Sequence, residues 1–140
     1  MVLESAALCL ALTIYFEARS DTVRSRTAVA EVIMVRAKDD QKNICNKVYQ
    51  KGAFGRDKRN NKNSNYYLKK VNSHKGPKDK KAWEESKILA NNVINGKYKR
   101  VLPKKATHFY NPKIDPQPRW ATQKRYVATI ESHKYYLIDE

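Results

Sequence analysis

The chain has 140 residues, enough to bury one core and too few for two comfortable ones. With 41% hydrophobic and 31% charged residues, four glycines and five prolines, its composition excludes collagen-like and low-complexity chains and predicts a folded globular protein. A net charge of +15 favours polyanionic partners, whether nucleic acid, anionic lipid surfaces or acidic envelope polymers, without choosing among them.

Leu3, Ala6, Ala7, Leu10 and Ile14 recur at intervals of three and four, which predicts a helix over 3–19 broken by Ser20-Asp21. The apolar run from Ala6 to Phe16 is too short to span a membrane, and Glu4 rather than a basic residue precedes it. The expectation is therefore a chain made in the cytoplasm without a signal peptide of its own. A second helix is predicted over 22–37, with Ala28, Val29, Val32 and Ile33 inward, Asp21 as N-cap, and the first helix as its packing partner. One or two helical turns through Ile44, Val48 and Tyr49 should follow over 43–50. Cys9 and Cys45 have neither the density of a disulfide scaffold nor the spacing of a metal site, and read as core thiols with one disulfide as the alternative.

The Asn-rich stretch over 51–77 has no sustained period and reads as a long loop with a short hairpin. Lys51 to Lys81 alone carries +9 of the net charge. A third helix is predicted over 79–95, with Ala82, Trp83, Leu89, Ala90, Val93 and Ile94 inward and Gly96 as its stop. From Ala106 the segments "ATHFYN" and "YVATIESHKYYLI" are β-branched and aromatic, and the "NPKIDPQPRW" between them is proline-punctuated loop. The class expected is α+β, with a small β element.

In "LALTIYFEARSD" a carboxylate, Glu17, ends an apolar run; its helical neighbours at minus three, four and seven are Ile14, Thr13 and Leu10. Desolvation there would raise the carboxyl above its ordinary range, and a carboxylic acid still protonated near neutral pH is what a glycosidase needs to protonate a leaving oxygen. The plain alternative is an ion pair with Arg19 or another cation at the helix end.

The blocks "CLALTIYFEARSD", "TAVAEVIMVRA", "ICNKVYQKGAF", "ATHFYN", "RWA" and "SHKYY" occur in an order that resembles the SleB-type cell wall hydrolase family, which includes spore cortex lytic enzymes and related phage endolysins. The resemblance runs from Leu8 to Tyr136. It implies a mainly helical, lysozyme-like (transglycosylase-like) α+β fold and cleavage of the MurNAc–GlcNAc β-1,4 bond with Glu17 as the catalytic acid; on its length the chain reads as one catalytic domain over 1–140, with no separate wall-binding domain visible. This chain departs from the family with Ser20 for Gly, Val35-Arg36 for Asn-Arg, and "AFGR" for Gln-Phe-Ser-Trp, the last bearing on one aromatic wall of the glycan groove.

Asp21, Asp39, Asp40, Asp57 and Asp115 are the aspartates available as a second carboxylate, and none is marked by its setting. A lytic transglycosylase needs only one acid, and the spore enzymes that the chain resembles work in that way; muramidase-type hydrolysis is the alternative. The resemblance would put "ATHFYN" near the acid, making His108, Tyr110 and Asn111 candidate substrate-binding residues. Trp120 and Phe54 are candidate sugar platforms, and Gln50 joins the substrate-binding set; each is equally readable as ordinary packing. His133, in the terminal block, reads as structural. The partners expected are peptidoglycan glycan strands and anionic envelope polymers, with no cofactor and no specific nucleic acid, for a monomer that reaches the wall or periplasm after holin-type release.

Two rival classes fit less. His74, His108 and His133 could supply a metal peptidase, but they lie on separate segments without metal-site spacing. A nucleic-acid-binding module would explain the charge and the interleaved Tyr66, Tyr67, Lys69 and Lys70, yet leaves "IYFEAR" unexplained.

Overall fold

The computed structural model describes residues 5–48 and 64–138. The elements run α1 (Ser5–Ala18), α2 (Val23–Arg36), α3 (Gln41–Val48), α4 (Ser64–Ser73), α5 (Pro77–Ile94), β1 (His108–Tyr110), β2 (Tyr126–Ile130) and β3 (His133–Tyr136). The class is α+β, as expected: helices dominate, and the strands form one antiparallel sheet in the order β1-β3-β2.

α1 is the central post, packed against α2, α3, α4 and α5. The helix is buried continuously from Cys9 to Tyr15, on every side rather than along one stripe. A helix apolar all round belongs inside, which is why its sequence looks like a membrane segment cut short. No helix among the described residues is long and apolar enough to cross a membrane. α2 is buried continuously from Ser25 to Met34. Its N-cap is Thr22, whose hydroxyl accepts the Ser25 amide at 3.4 Å; Asp21 is not the cap.

α5 begins with Pro77 at its first turn and stops as predicted at Gly96, which takes φ 73°. There the Lys97 amide reaches back to the Asn92 carbonyl and the Gly96 amide to that of Val93, the paired bonds of a Schellman stop.

Two expectations are corrected. The predicted loop over 51–77 contains α4, whose Tyr67, Leu68 and Val71 have helical spacing that the intervening lysines obscure; Val71 and Tyr67 pack with Leu12, Tyr15 and Ala82 in a cluster between α1, α4 and α5. The suggested hairpin, with Gln50, Phe54 and Asp57, lies outside the described residues. Cys9 and Cys45 are not free thiols but a disulfide, because α1 and α3 pack with these two positions facing, their Cα atoms 5.3 Å apart.

The sheet has two faces. Phe109, Ile130 and Tyr135 point into the main core with the helices. Tyr110 and Tyr136 point the other way, into a small cluster with Ala121, Trp120 and Tyr126.

Candidate active site

Two turns meet at the end of α1: the link 19–22 into α2 and the two-residue turn Glu131-Ser132 between β2 and β3. The link is braced from below by Arg26, whose Nε donates to the Ala18 carbonyl at 3.2 Å, Nη2 to the Arg19 carbonyl at 2.9 Å and Nη1 to Glu85 on α5 at 3.0 Å. A buried guanidinium here satisfies the orphan carbonyls at the helix end and sits favourably on its dipole. Arg26 carried no signal in the sequence beyond being a basic residue inside an apolar helix.

The hairpin turn is tied to this link residue by residue. Glu131, at φ 48°, accepts from the Thr22 amide at 2.9 Å and the Thr22 hydroxyl at 2.7 Å. Those two donors hold the Glu131 carboxyl below the usual range. The Ser132 hydroxyl donates to Asp21 Oδ1 at 3.2 Å, and the Ser25 hydroxyl donates to Asp21 Oδ2 at 2.8 Å. His133, only 1% exposed, lies with Nδ1 3.5 Å from Asp21 Oδ2 and Nε2 4.0 Å from Glu17 Oε2. Glu17 is 20% exposed at its side chain, so the carboxyl reaches solvent while backed by the imidazole. Beyond His133, the Tyr135 hydroxyl is buried and pushed well up, first by burial and then by the charges of Asp21, Glu17 and Glu31.

Arg19 turns away from this centre. Its Nη1 donates to the Tyr15 hydroxyl at 2.9 Å and to His74 Nδ1 at 2.8 Å, and its Nε lies 3.5 Å from Asp79 on α5. Since arginine can only donate, His74 Nδ1 is an acceptor. The half-buried rings of Phe16, Tyr67 and His74 form an aromatic patch on the α4 side, Phe16 meeting Tyr67 at 5.6 Å edge to face. Glu17 is thus flanked by the hairpin turn on one side and follows directly on this patch in sequence.

The carboxylate of the "AVAEVI" block, Glu31, serves the fold. It is buried, accepts the Val101 amide at 2.7 Å and pairs with Arg100 at 3.5 Å; burial raises its carboxyl despite these partners.

The other candidates are grouped elsewhere. Tyr110 pairs with Lys134 in register, so it shares the outer face of the sheet and points away from His133. It stacks on Tyr136 and meets Trp120 edge to face, both at 6.0 Å. His108 lies 4.9 Å from Trp120 and is held by Arg36, which donates to His108 Nε2 at 3.4 Å and to the Thr107 carbonyl at 3.1 Å. Arg36 ends α2, so this contact ties β1 to the end of that helix. The "ATHFYN" strand runs beside the site, its Phe109 ring 5.4 Å from His133, while the side chains of His108 and Tyr110 lie on the opposite face of the sheet. Asn111 follows β1 at the His133 end of the sheet, its side-chain oxygen accepting the Lys113 amide at 3.0 Å. The three histidines lie apart, His74 at the α4–α5 turn, His108 on β1 and His133 on β3, and no group of three or more His, Cys, Asp or Glu suited to a metal ion occurs among the described residues.

No curated protein and no solved structure matches the chain. A family model, Cell Wall Hydrolase, matches residues 20–136, from just beyond Glu17 through the Asp21 link, the hairpin turn and His133 to the end of the sheet. The protein belongs to the SleB-type Cell Wall Hydrolase family, enzymes that degrade peptidoglycan.

Proposed function

We propose that the protein cuts the MurNAc–GlcNAc β-1,4 bond of peptidoglycan as a lytic transglycosylase, with Glu17 as its only catalytic carboxyl. In the first step the Glu17 proton passes to the glycosidic oxygen as the bond to MurNAc C1 breaks. In the second, the Glu17 carboxylate takes the proton of the MurNAc C6 hydroxyl while that oxygen closes onto C1, giving a 1,6-anhydro ring and restoring the acid. No water is consumed. The Phe16–Tyr67 patch offers the apolar ring surface on which a sugar could lie next to the acid.

The observation that carries the single-acid reading is what stands between Glu17 and Asp21. The 4.0 and 3.5 Å contacts are made by opposite nitrogens of one imidazole, so Asp21 lies behind His133, already accepting from Ser25 and Ser132, rather than across an open space from Glu17. Asp39 and Asp40 follow the far end of α2, one helix length away. A water-activating carboxylate would need to stand about 5 to 9.5 Å from the acid with room for sugar or water between. An endolysin role, with holin-type release to the wall, is the setting in which we place this activity.

Mass spectrometry of fragments released from purified peptidoglycan tests the reading, with Glu17→Gln as control. We expect 1,6-anhydroMurNAc ends from the wild type and loss of at least about 1000-fold in rate for the variant. Reducing-end MurNAc would assign muramidase hydrolysis instead, and full activity of Glu17→Gln would overturn the choice of acid.

A further inference from the structure

We infer that His133 is the positioning residue of the catalytic acid, and that Glu17 and His133 hold the catalytic proton jointly, with Asp21 orienting the imidazole. The inference deepens the function proposed above and rests on Glu17 being the acid.

His133 is 1% exposed on the central strand of the sheet, yet it is aimed at two carboxylates rather than packed as a plain aromatic. Asp21 can only accept when ionised, so its oxygen beside Nδ1 selects the tautomer with the proton on Nδ1. That leaves Nε2 facing Glu17 Oε2 at 4.0 Å, a gap that less than 1.5 Å of movement closes to a hydrogen bond. One proton can then reside on either partner, as Glu17 carboxylic acid beside neutral imidazole or as carboxylate beside imidazolium, the second form steadied by Asp21. The two forms differ in the position of one proton, so the two groups titrate as a coupled pair. A lone glutamate loses its proton near pH 4.3 and an imidazole near 6.5, so the pair keeps a donatable proton to higher pH than a lone carboxyl would.

Among the described residues, the groups facing the imidazole include Glu17 from α1, Asp21 from the α1–α2 link, and the rings of Phe109 on β1 and Tyr135 on its own strand, at 5.4 and 6.3 Å. Asp21 is itself fixed from two elements, by Ser25 of α2 and Ser132 of the hairpin turn. This bracing aligns a donor and does more than fill a core position.

The test combines two measurements on the full chain. Glycan cleavage is followed from pH 4.5 to 8.5 for wild type, His133→Gln, Asp21→Asn and Glu17→Gln, with thermal melts as a folding control. We expect the alkaline limb of kcat for His133→Gln and Asp21→Asn to move down by about one pH unit or more. That means roughly tenfold loss at pH 7.5 against less than about threefold at pH 5, with KM little changed. Independently, the NMR titration of the His133 ring in wild type and Glu17→Gln should differ, its midpoint falling when the carboxylate is removed. A His133→Gln profile of wild-type shape, or an unmoved His133 midpoint in Glu17→Gln, overturns the inference. Should His133→Gln fail to fold, Asp21→Asn and the titration decide. Inactive Glu17→Gln with an unshifted His133→Gln profile removes the positioning role alone, whereas active Glu17→Gln removes the acid itself.

Discussion

Glu131 stands at the tip of a hairpin and is exposed, yet its carboxylate accepts both donors of Thr22 and so caps α2 from outside the helix. An anion at a helix N-terminus is favoured by the dipole as well as by the two bonds. Because its carboxyl is held lower in the folded protein than in the unfolded chain, the stabilisation is present above the ordinary glutamate value and is lost as pH falls through the folded value. Exposure keeps the effect small, on the order of 0.5 to 1 kcal/mol. In thermal melts between pH 6 and 3, wild type should lose stability more steeply than Glu131→Gln, and the two curves should converge at the acid end. Parallel curves would mean that the Thr22 bonds do not stabilise the fold in solution. The same residue shows where local reading stops: "IESHKYY" reads as a strand with a polar interruption, and nothing in it says that Glu131, Ser132 and His133 each have a partner more than 100 residues earlier.

Among elements, α1 supports the largest load, since it carries Glu17, the proposed acid, and packs against four other helices. The Cys9–Cys45 disulfide joins it to α3 and closes a loop of 36 residues in sequence. Loop closure of that size predicts a loss of roughly 2 to 4 kcal/mol on Cys9→Ser/Cys45→Ser replacement or full reduction, read as a lower melting temperature. Equal melting of oxidised and reduced protein would show that packing alone fixes α3 on α1. Such a bond persists in oxidising compartments and is reduced where thiols are maintained as thiols. The helices with pure apolar patterns, α1, α2 and α5, were legible because burial writes itself into spacing, and Gly96 marked its stop for the same reason. α4 was not, because its buried side is narrow and the lysines between its apolar residues dilute the period. The disulfide was not either: two cysteines 36 apart become neighbours only through the α1–α3 packing angle. For the site, Glu17 stood out by being ionisable at the end of an apolar run, whereas the outward turn of Tyr110 depended on strand register, which a three-residue strand does not disclose.

At the scale of the whole molecule, +15 on 140 residues is a field that a polyanionic wall would feel before any sugar reaches Glu17. Lysine is spread over α4, the start of α5 and the 97–105 segment, while ion pairs such as Arg26–Glu85, Lys87–Glu84 and Arg100–Glu31 take up carboxylates across the molecule, so the excess positive charge is distributed over the surface. Attraction of this kind concentrates enzyme on its substrate without touching the chemistry, and salt screens it beyond about 10 Å at 0.1 M. Turnover of intact, polymer-bearing walls should therefore fall several-fold between about 50 and 300 mM salt through the half-saturating substrate concentration. Cleavage of short, uncharged glycan oligomers should change little, because they offer the field nothing to hold. Equal salt sensitivity on both substrates would place the ionic dependence at the site itself, where part-buried Glu17 and Asp21 and buried His133 are near enough to respond.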